Sequence, residues 1–346
     1  MSDVVYVVGA GFSAGLGFPV TNNMLRYIWD GLDKDFQVKL ERVIKFHNPY
    51  FKANDILSHP DIETLLTQLD TNLALFQHTR ILEGQFEEKE LADIKKKVLL
   101  QIAEKFHVQQ KLIFKNLKSP DASNYEWLSE FKTLARKHSA TVISFNYDLI
   151  LEKLFYDHRL SPSSYGFGKK KQNIILKPHG SLNWFLQSNN SPSIKEDRKE
   201  LIEASSDNED VYLFKRYRSP NSNRLGFDYI PHIIPPTYIK NFDGPIYKKT
   251  MQNCVSAISN AKEVVFMGYS LPDSDFYAKF MFQCGFHNQD EGEIHESGRG
   301  GAIENTKVLV VNPSADAARK IKNIVSSKSE FEWFPGTVED WMSQKS

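Results

Sequence analysis

VVYVVGAGFSAGLGFP, residues 4–19, sets an apolar β-branched run directly before a turn built on glycine. Val4, Val5, Tyr6, Val7 and Val8 are too few for a buried helix and stop abruptly at Gly9, so they predict a central parallel strand buried on both faces. Gly9 and Gly11 carry no Cβ, which permits a tight turn and lets backbone N–H groups approach an anion. Ser13 adds a hydroxyl where a helix can begin. A nucleotide pyrophosphate fits such a loop; a plain strand-to-helix turn without a ligand is the alternative. An ordinary dinucleotide domain also needs a second strand ending in an acidic residue about 20 residues on. Residues 21–30 instead read as an amphipathic helix, with Met24, Leu25, Ile28 and Trp29 on one face.

At 346 residues the chain can hold one large domain with insertions or two domains. Lys plus Arg and Asp plus Glu both number 43, so nothing global calls for nucleic acid or a membrane surface. No apolar run approaches the ~18 residues of a membrane span and no signal pattern precedes the first strand, so a soluble cytoplasmic protein is expected. Cys254 and Cys284 lie far apart without any C-x-x-C, which excludes zinc held by paired cysteines and gives no reason to expect a disulfide.

The rest of the chain reads as one α/β domain, residues 1–346, interrupted twice. Residues 37–120 are periodic and helical, with Ile62, Leu65, Leu66, Leu69 and Leu73 following a helix start at Asp61, then Leu91, Ile94, Val98, Ile102 and Phe106 along a long helix. This predicts a helical insertion. Residues 185–240 predict an irregular, partly β excursion, with a mobile polar loop at 188–210. Between the two interruptions, residues 140–145 predict a strand that ends in Asn146-Tyr147-Asp148 and leads into a helix. Asp148 is either a site residue or a cap for that helix. A further apolar strand runs into Pro178-His179-Gly180-Ser181, where a tight turn can present the imidazole to a cleft or simply hold a structural histidine. Residues 263–267 and 307–311 are two more buried strands, ending in Gly268-Tyr269-Ser270 and in Asn312. Residues 273–284 predict a helix with Phe276, Phe280 and Met281 on one face, followed by a glycine-rich loop over 285–301.

Four buried strands therefore end in small or polar residues. In a parallel sheet with right-handed crossovers those ends share one edge, so Gly9, Asn146, Asp148, Gly268, Ser270 and Asn312 converge on one crevice. That convergence favours a bound nucleotide.

GAGFSAGLGFP, SFNYD, KPHGS, MGYSLPDSD and VVNP appear in the order of the NAD-binding and catalytic motifs of the sirtuins. The resemblance is strongest to the sirtuin-like NAD hydrolases of prokaryotic anti-phage defence, and it covers the sheet-forming parts but not the helical insertion. It implies a Rossmann-like doubly wound parallel sheet with NAD as substrate. By that resemblance Gly9, Ala10, Gly11 and Ser13 cradle the pyrophosphate, Pro19 covers the nicotinamide side, and Gly268, Ser270 and Asn312 hold the adenosine ribose. Asn146 and His179 resemble the family's catalytic pair, and Asp148 matches the acidic residue two positions on.

Two departures bear on the reaction. Deacylating sirtuins carry two cysteine pairs for a structural zinc, absent here, and follow the loop proline with an acidic residue and Phe-Arg, where this chain has Val20-Thr21-Asn22. The resemblance thus implies no zinc and water as acceptor, giving ADP-ribose and nicotinamide. Protein deacylation, ADP-ribosyl transfer and a non-catalytic NAD or ADP-ribose sensor are the alternatives. It also implies a defence effector that depletes NAD on infection, restrained by homo-oligomerisation or by a neighbouring ATPase or other regulatory protein.

Overall fold

The computed structural model describes residues 2–75, 86–117, 125–157, 159–168, 172–188, 199–203, 209–214, 230–234, 244–291, 294–295, 298–299 and 305–345. In chain order the strands are β1 (Val4–Val8), β2 (Thr141–Ser144), β3 (Ile175–Leu176), β4 (Gly180–Ser188), β5 (Lys199–Glu203), β6 (Glu209–Phe214), β7 (Ile230–Ile233), β8 (Glu263–Met267), β9 (Ile294–His295), β10 (Gly298–Arg299), β11 (Lys307–Val311) and β12 (Glu330–Phe334). The helices are α1 (Ala10–Ala14), α2 (Met24–Trp29), α3 (Lys34–His47), α4 (Ile62–Leu75), α5 (Glu88–Asn116), α6 (Glu126–Lys137), α7 (Ile150–Tyr156), α8 (Pro245–Ser259), α9 (Phe276–Glu291), α10 (Ala315–Lys322) and α11 (Val338–Ser343).

Six strands form one sheet in the order β12-β11-β8-β1-β2-β3, with every neighbouring pair parallel. The chain winds outward from β1 to β2 and β3, then returns to build β8, β11 and β12 on the other side. The order therefore reverses between β1 and β8, which makes this a doubly wound α/β sheet with its switch point at the glycine turn.

All of β1 is buried, as its unbroken apolar run requires. The strand's period of two divides it between two cores. Val4, Tyr6 and Val8 join the core that includes Leu65 of α4, Leu91 of α5 and Phe131 of α6. Val5 and Val7 join the opposite core with Ile258 of α8, Phe282 of α9 and Ile321 of α10. Phe12, the one large side chain early in the glycine turn, packs edge-on against Trp127 and Phe131 at ring-centroid distances of 5.1 and 5.2 Å. The turn is thus anchored from the core side.

The long helix α5 buries Leu91, Ile94, Val98, Ile102 and Phe106. It also touches the turns of the sheet. Gln109 donates to the Leu16 carbonyl at 2.6 Å, and Gln110 accepts from the Leu149 N–H at 3.1 Å.

Three local expectations change. The polar stretch 188–210, read as a loop, contributes β5 and the start of β6, which pair antiparallel within the small sheet β5-β6-β4-β7; backbone pairing on an edge strand does not demand apolar side chains. Residues 189–198 and 204–208 lie outside the described residues. Helix α9 passes through Gly285 and ends at Glu291, and short strands β9 and β10 pair antiparallel within the stretch read as a glycine loop. Gly285 is a packing residue, since a Cβ there would stand 2.7 Å from Cβ of Ile258 on α8. The buried face of α9 is Ala278, Met281, Phe282, Gly285 and Phe286, whereas Phe276 and Phe280 are exposed.

Candidate active site

The turns after β1 and β8 meet backbone to backbone at the switch point. The Gly9 N–H donates to the Met267 carbonyl at 3.1 Å and the Gly11 N–H to the Gly268 carbonyl at 2.8 Å. Gly268 has φ of +62°, and a Cβ there would sit 2.4 Å from the Phe12 nitrogen. These glycines let two loops touch, and the Gly9 and Gly11 N–H groups are engaged by protein carbonyls.

Beside this contact lies a cleft of about 980 Å³ along the carboxyl edge of the sheet. Ala10, Gly11, Ser13 and Pro19 line it from the first turn, Asn146, Asp148 and His179 from the β2 and β3 ends, and Gly268, Ser270 and Asn312 from the β8 and β11 ends. Gly9 lies behind the lining. The structure thus brings the sequence-predicted residues into one place, with Gly9 as a spacer.

Ser13 ties two of the turns together. Its hydroxyl donates to Asp148 Oδ2 at 2.7 Å and accepts from Asn146 Nδ2 at 3.0 Å. Asn146 Nδ2 also donates to the Gly9 carbonyl at 2.8 Å, and Asp148 Oδ1 accepts from the Ile150 N–H at 3.1 Å. Asp148 therefore receives the Ser13 hydroxyl with one carboxylate oxygen and the N–H of Ile150, the first residue of α7, with the other. Asn312 is held in a similar way, donating through Nδ2 to the Tyr269 carbonyl at 3.1 Å while Oδ1 accepts from the Ser314 N–H at 2.9 Å.

Lys177 was not singled out from the sequence. It is 1% exposed and donates to the carbonyls of Asn146 and Asp148 at 2.7 and 2.8 Å, with Glu152 at 3.3 Å. Burial pushes the Glu152 carboxyl up, against the pull of Lys177, and Tyr165 donates to it at 3.2 Å. The ammonium thus fixes the backbone that presents Asn146. The signal available was a lysine ending an apolar strand, immediately before proline.

Asp275 is the second addition. His179 Nε2 lies 3.2 Å from its carboxylate, and the Tyr269 hydroxyl donates to Oδ2 at 3.0 Å. Phe145 packs edge-on to His179 at 5.0 Å and stacks on Tyr269 at 4.3 Å. From the helical segment, Glu63 accepts from the Ser274 hydroxyl at 2.6 Å, closing the cleft opposite the sheet edge. The Asp273-Ser274-Asp275 run following a buried strand was the legible clue. Among the described residues no group of three or more His, Cys, Asp or Glu side chains is arranged to hold a metal ion, and no helix is long and apolar enough to cross a membrane.

Sheet topology and cleft together define an open α/β protein with a crevice at the switch point, the position where open α/β sheets bind ligands. Residues 140–283, less than half of the chain, match the family described as SIR2-like domain. Among solved structures, an ADP-ribose complex of a mutant Sir2 homologue aligns at 12% identity over 99% of this chain and 90% of that chain, with a TM-score of 0.45. A Sir2 homolog–NAD complex aligns at 13% identity over 99% and 88%, with a TM-score of 0.41. No curated protein matches.

Proposed function

We propose that this chain hydrolyses NAD at the bond between nicotinamide and ribose. The observation that carries the reading is that the glycine turn, Asn146 and His179, far apart in sequence, line one cleft at the carboxyl ends of parallel strands. The match to a SIR2-like domain, and the NAD and ADP-ribose held by Sir2 homologues of the same general architecture, are consistent with it.

In this reading the pyrophosphate runs along Ala10, Gly11 and Ser13, the adenosine end lies toward Gly268, Ser270 and Asn312, and the nicotinamide ribose lies between Asn146 and His179 with Pro19 over the ring. The C1′–N bond breaks with its electron pair going to the nicotinamide nitrogen, which neutralises the pyridinium. Positive charge then develops on the ribose. Asp148, Asp275 and Glu63 give that part of the cleft an acidic lining suited to such charge. The Asn146 amide orients the ribose and a water. The water oxygen bonds to C1′ and its proton passes to His179, giving ADP-ribose, nicotinamide and a proton. No zinc enters this scheme. The defence role, the homo-oligomer and the regulatory partner extend the proposal and rest on the sequence resemblance alone.

The test is nicotinamide release from NAD by the purified protein beside Asn146→Ala and His179→Ala. The expected result is turnover by the wild type and its loss in both variants at retained melting temperature. Release only with an acyl-lysine peptide would assign a deacylase, and ADP-ribose attached to protein a transferase. Binding of NAD with no product would assign a sensor.

A further inference from the structure

We propose that Asp275 is the positioning residue for His179, holding the imidazole in the tautomer with its proton on Nε2 and making Nδ1 the basic nitrogen. The proposal rests on the NAD-cleavage reading for what His179 does, and on geometry for how it is held. His179 Nε2 is 3.2 Å from Oδ1 and 3.2 Å from Oδ2 of Asp275. An ionised carboxylate accepts and does not donate, so the hydrogen between them belongs to the ring. Asp275 is 2% exposed and His179 8%, so water competes little for the contact.

The carboxylate is itself fixed. Tyr269 donates to Oδ2 at 3.0 Å, and burial together with the Asp275 charge pushes the phenol well up, so it remains a donor. The Asp275 N–H is bonded to the Pro272 carbonyl at 2.9 Å, and its own carbonyl accepts from the Lys279 N–H at 3.0 Å in the first turn of α9. Phe145 sets the remaining freedom, with its edge-on contact to the His179 ring and its stack on Tyr269. Of the neighbouring acidic groups, Glu63 of α4 accepts from the Ser274 hydroxyl and Asp273 pairs with Lys320, while Asp275 engages the imidazole.

A neutral imidazole that is not held presents either nitrogen as the base. A buried carboxylate on one nitrogen removes that choice and stabilises the imidazolium formed when the other takes a proton, without itself being protonated. The sequence separates the two residues by 96 positions, and the β3 and β8 turns bring them together.

The experiment compares wild type, Asp275→Asn, Asp275→Glu and Tyr269→Phe in the full chain. An amide at 275 both donates and accepts, so it no longer selects a tautomer. Asp275→Asn is expected to lower kcat about 100-fold while KM for NAD changes less than about threefold, and Asp275→Glu to recover part of the loss. Tyr269→Phe, which keeps the carboxylate and removes its donor, is expected to lower kcat about 3- to 10-fold and serves if Asp275→Asn does not fold. Nitrogen NMR of labelled histidine should show His179 protonated on Nε2 in the wild type and lose that pattern in Asp275→Asn. Wild-type kcat in Asp275→Asn, or a wild-type ring protonated on Nδ1, overturns the proposal. If the wild type releases no nicotinamide, the NAD reading fails, while the nitrogen spectrum, which needs no turnover, still decides whether Asp275 sets the tautomer.

Discussion

Ser13 and Asp148, 135 positions apart, share a buried 2.7 Å hydrogen bond that locks the turn after β1 to the turn after β2. The same hydroxyl accepts from Asn146, so both of its hydrogen-bonding roles are used inside the cleft.

Ser13→Ala therefore strands a carboxylate oxygen and an amide. It is expected to cost about 1–3 kcal/mol in urea unfolding and to lower nicotinamide release. Asp148→Asn keeps an oxygen for the Ile150 N–H and should cost about 1–2 kcal/mol. Turnover lost at unchanged stability in Asp148→Asn would instead place Asp148 in the chemistry alone.

Lys177 and Glu152 are each 1% exposed at the ion pair beneath Asn146. Lys177→Met leaves the Glu152 carboxyl without its cation and two carbonyls without their donor, and is expected to cost about 3–5 kcal/mol. Adding Glu152→Gln removes the orphaned charge and should recover part of that loss. Additive losses in the double variant, by chemical denaturation, would show that the two groups do not act as a pair.

Gly268→Ala meets the Phe12 nitrogen and Gly11 backbone carbons, at a left-handed φ of +62°. Backbone atoms cannot rotate away as a side-chain tip can. A loss of about 2 kcal/mol or more in denaturant unfolding is expected, together with weaker ADP-ribose binding by calorimetry.

His232 is buried, and its Nε2 meets no hydrogen-bond partner among the described residues. Burial pushes its pKa down to about 3 from the ordinary 6.5, and pushes His107 down to about 4. The unfolded chain takes up these protons below pH 6.5 while the native state declines them, so stability falls as pH drops from 6.5 toward 3. His232 alone accounts for up to about 1.4 kcal/mol per pH unit in that window. His232→Phe keeps the stack on Tyr247, at 4.7 Å, and should flatten the acid side of the stability curve. An unchanged slope between pH 6 and 4 would contradict the assignment.

Much of the fold was legible because its signals are local. A run such as Val4–Val8 can only be a doubly covered strand, and Gly9, Asn146 and Gly268 mark where such strands stop. Parallel topology then puts those ends on one edge, so the cleft followed without knowledge of any side-chain contact. The length of α9 was not legible. Gly285 and the residues after it read as a loop until Ile258 of α8 shows why a helix needs a glycine there.

By itself the sequence determined the buried strands and the small or polar residues that end them, Gly9, Asn146, Asp148, Gly268 and Asn312, because strand period and turn chemistry act over a few neighbouring residues. The doubly wound order and the place of His179 came from the resemblance to the sirtuins. Tertiary structure alone decided that Asp275 meets His179 and that Lys177 supports Asn146. A carboxylate in a polar loop and a lysine at a strand end read locally as surface charges. They become site residues when packing removes them from water and leaves each facing a group that must be paired.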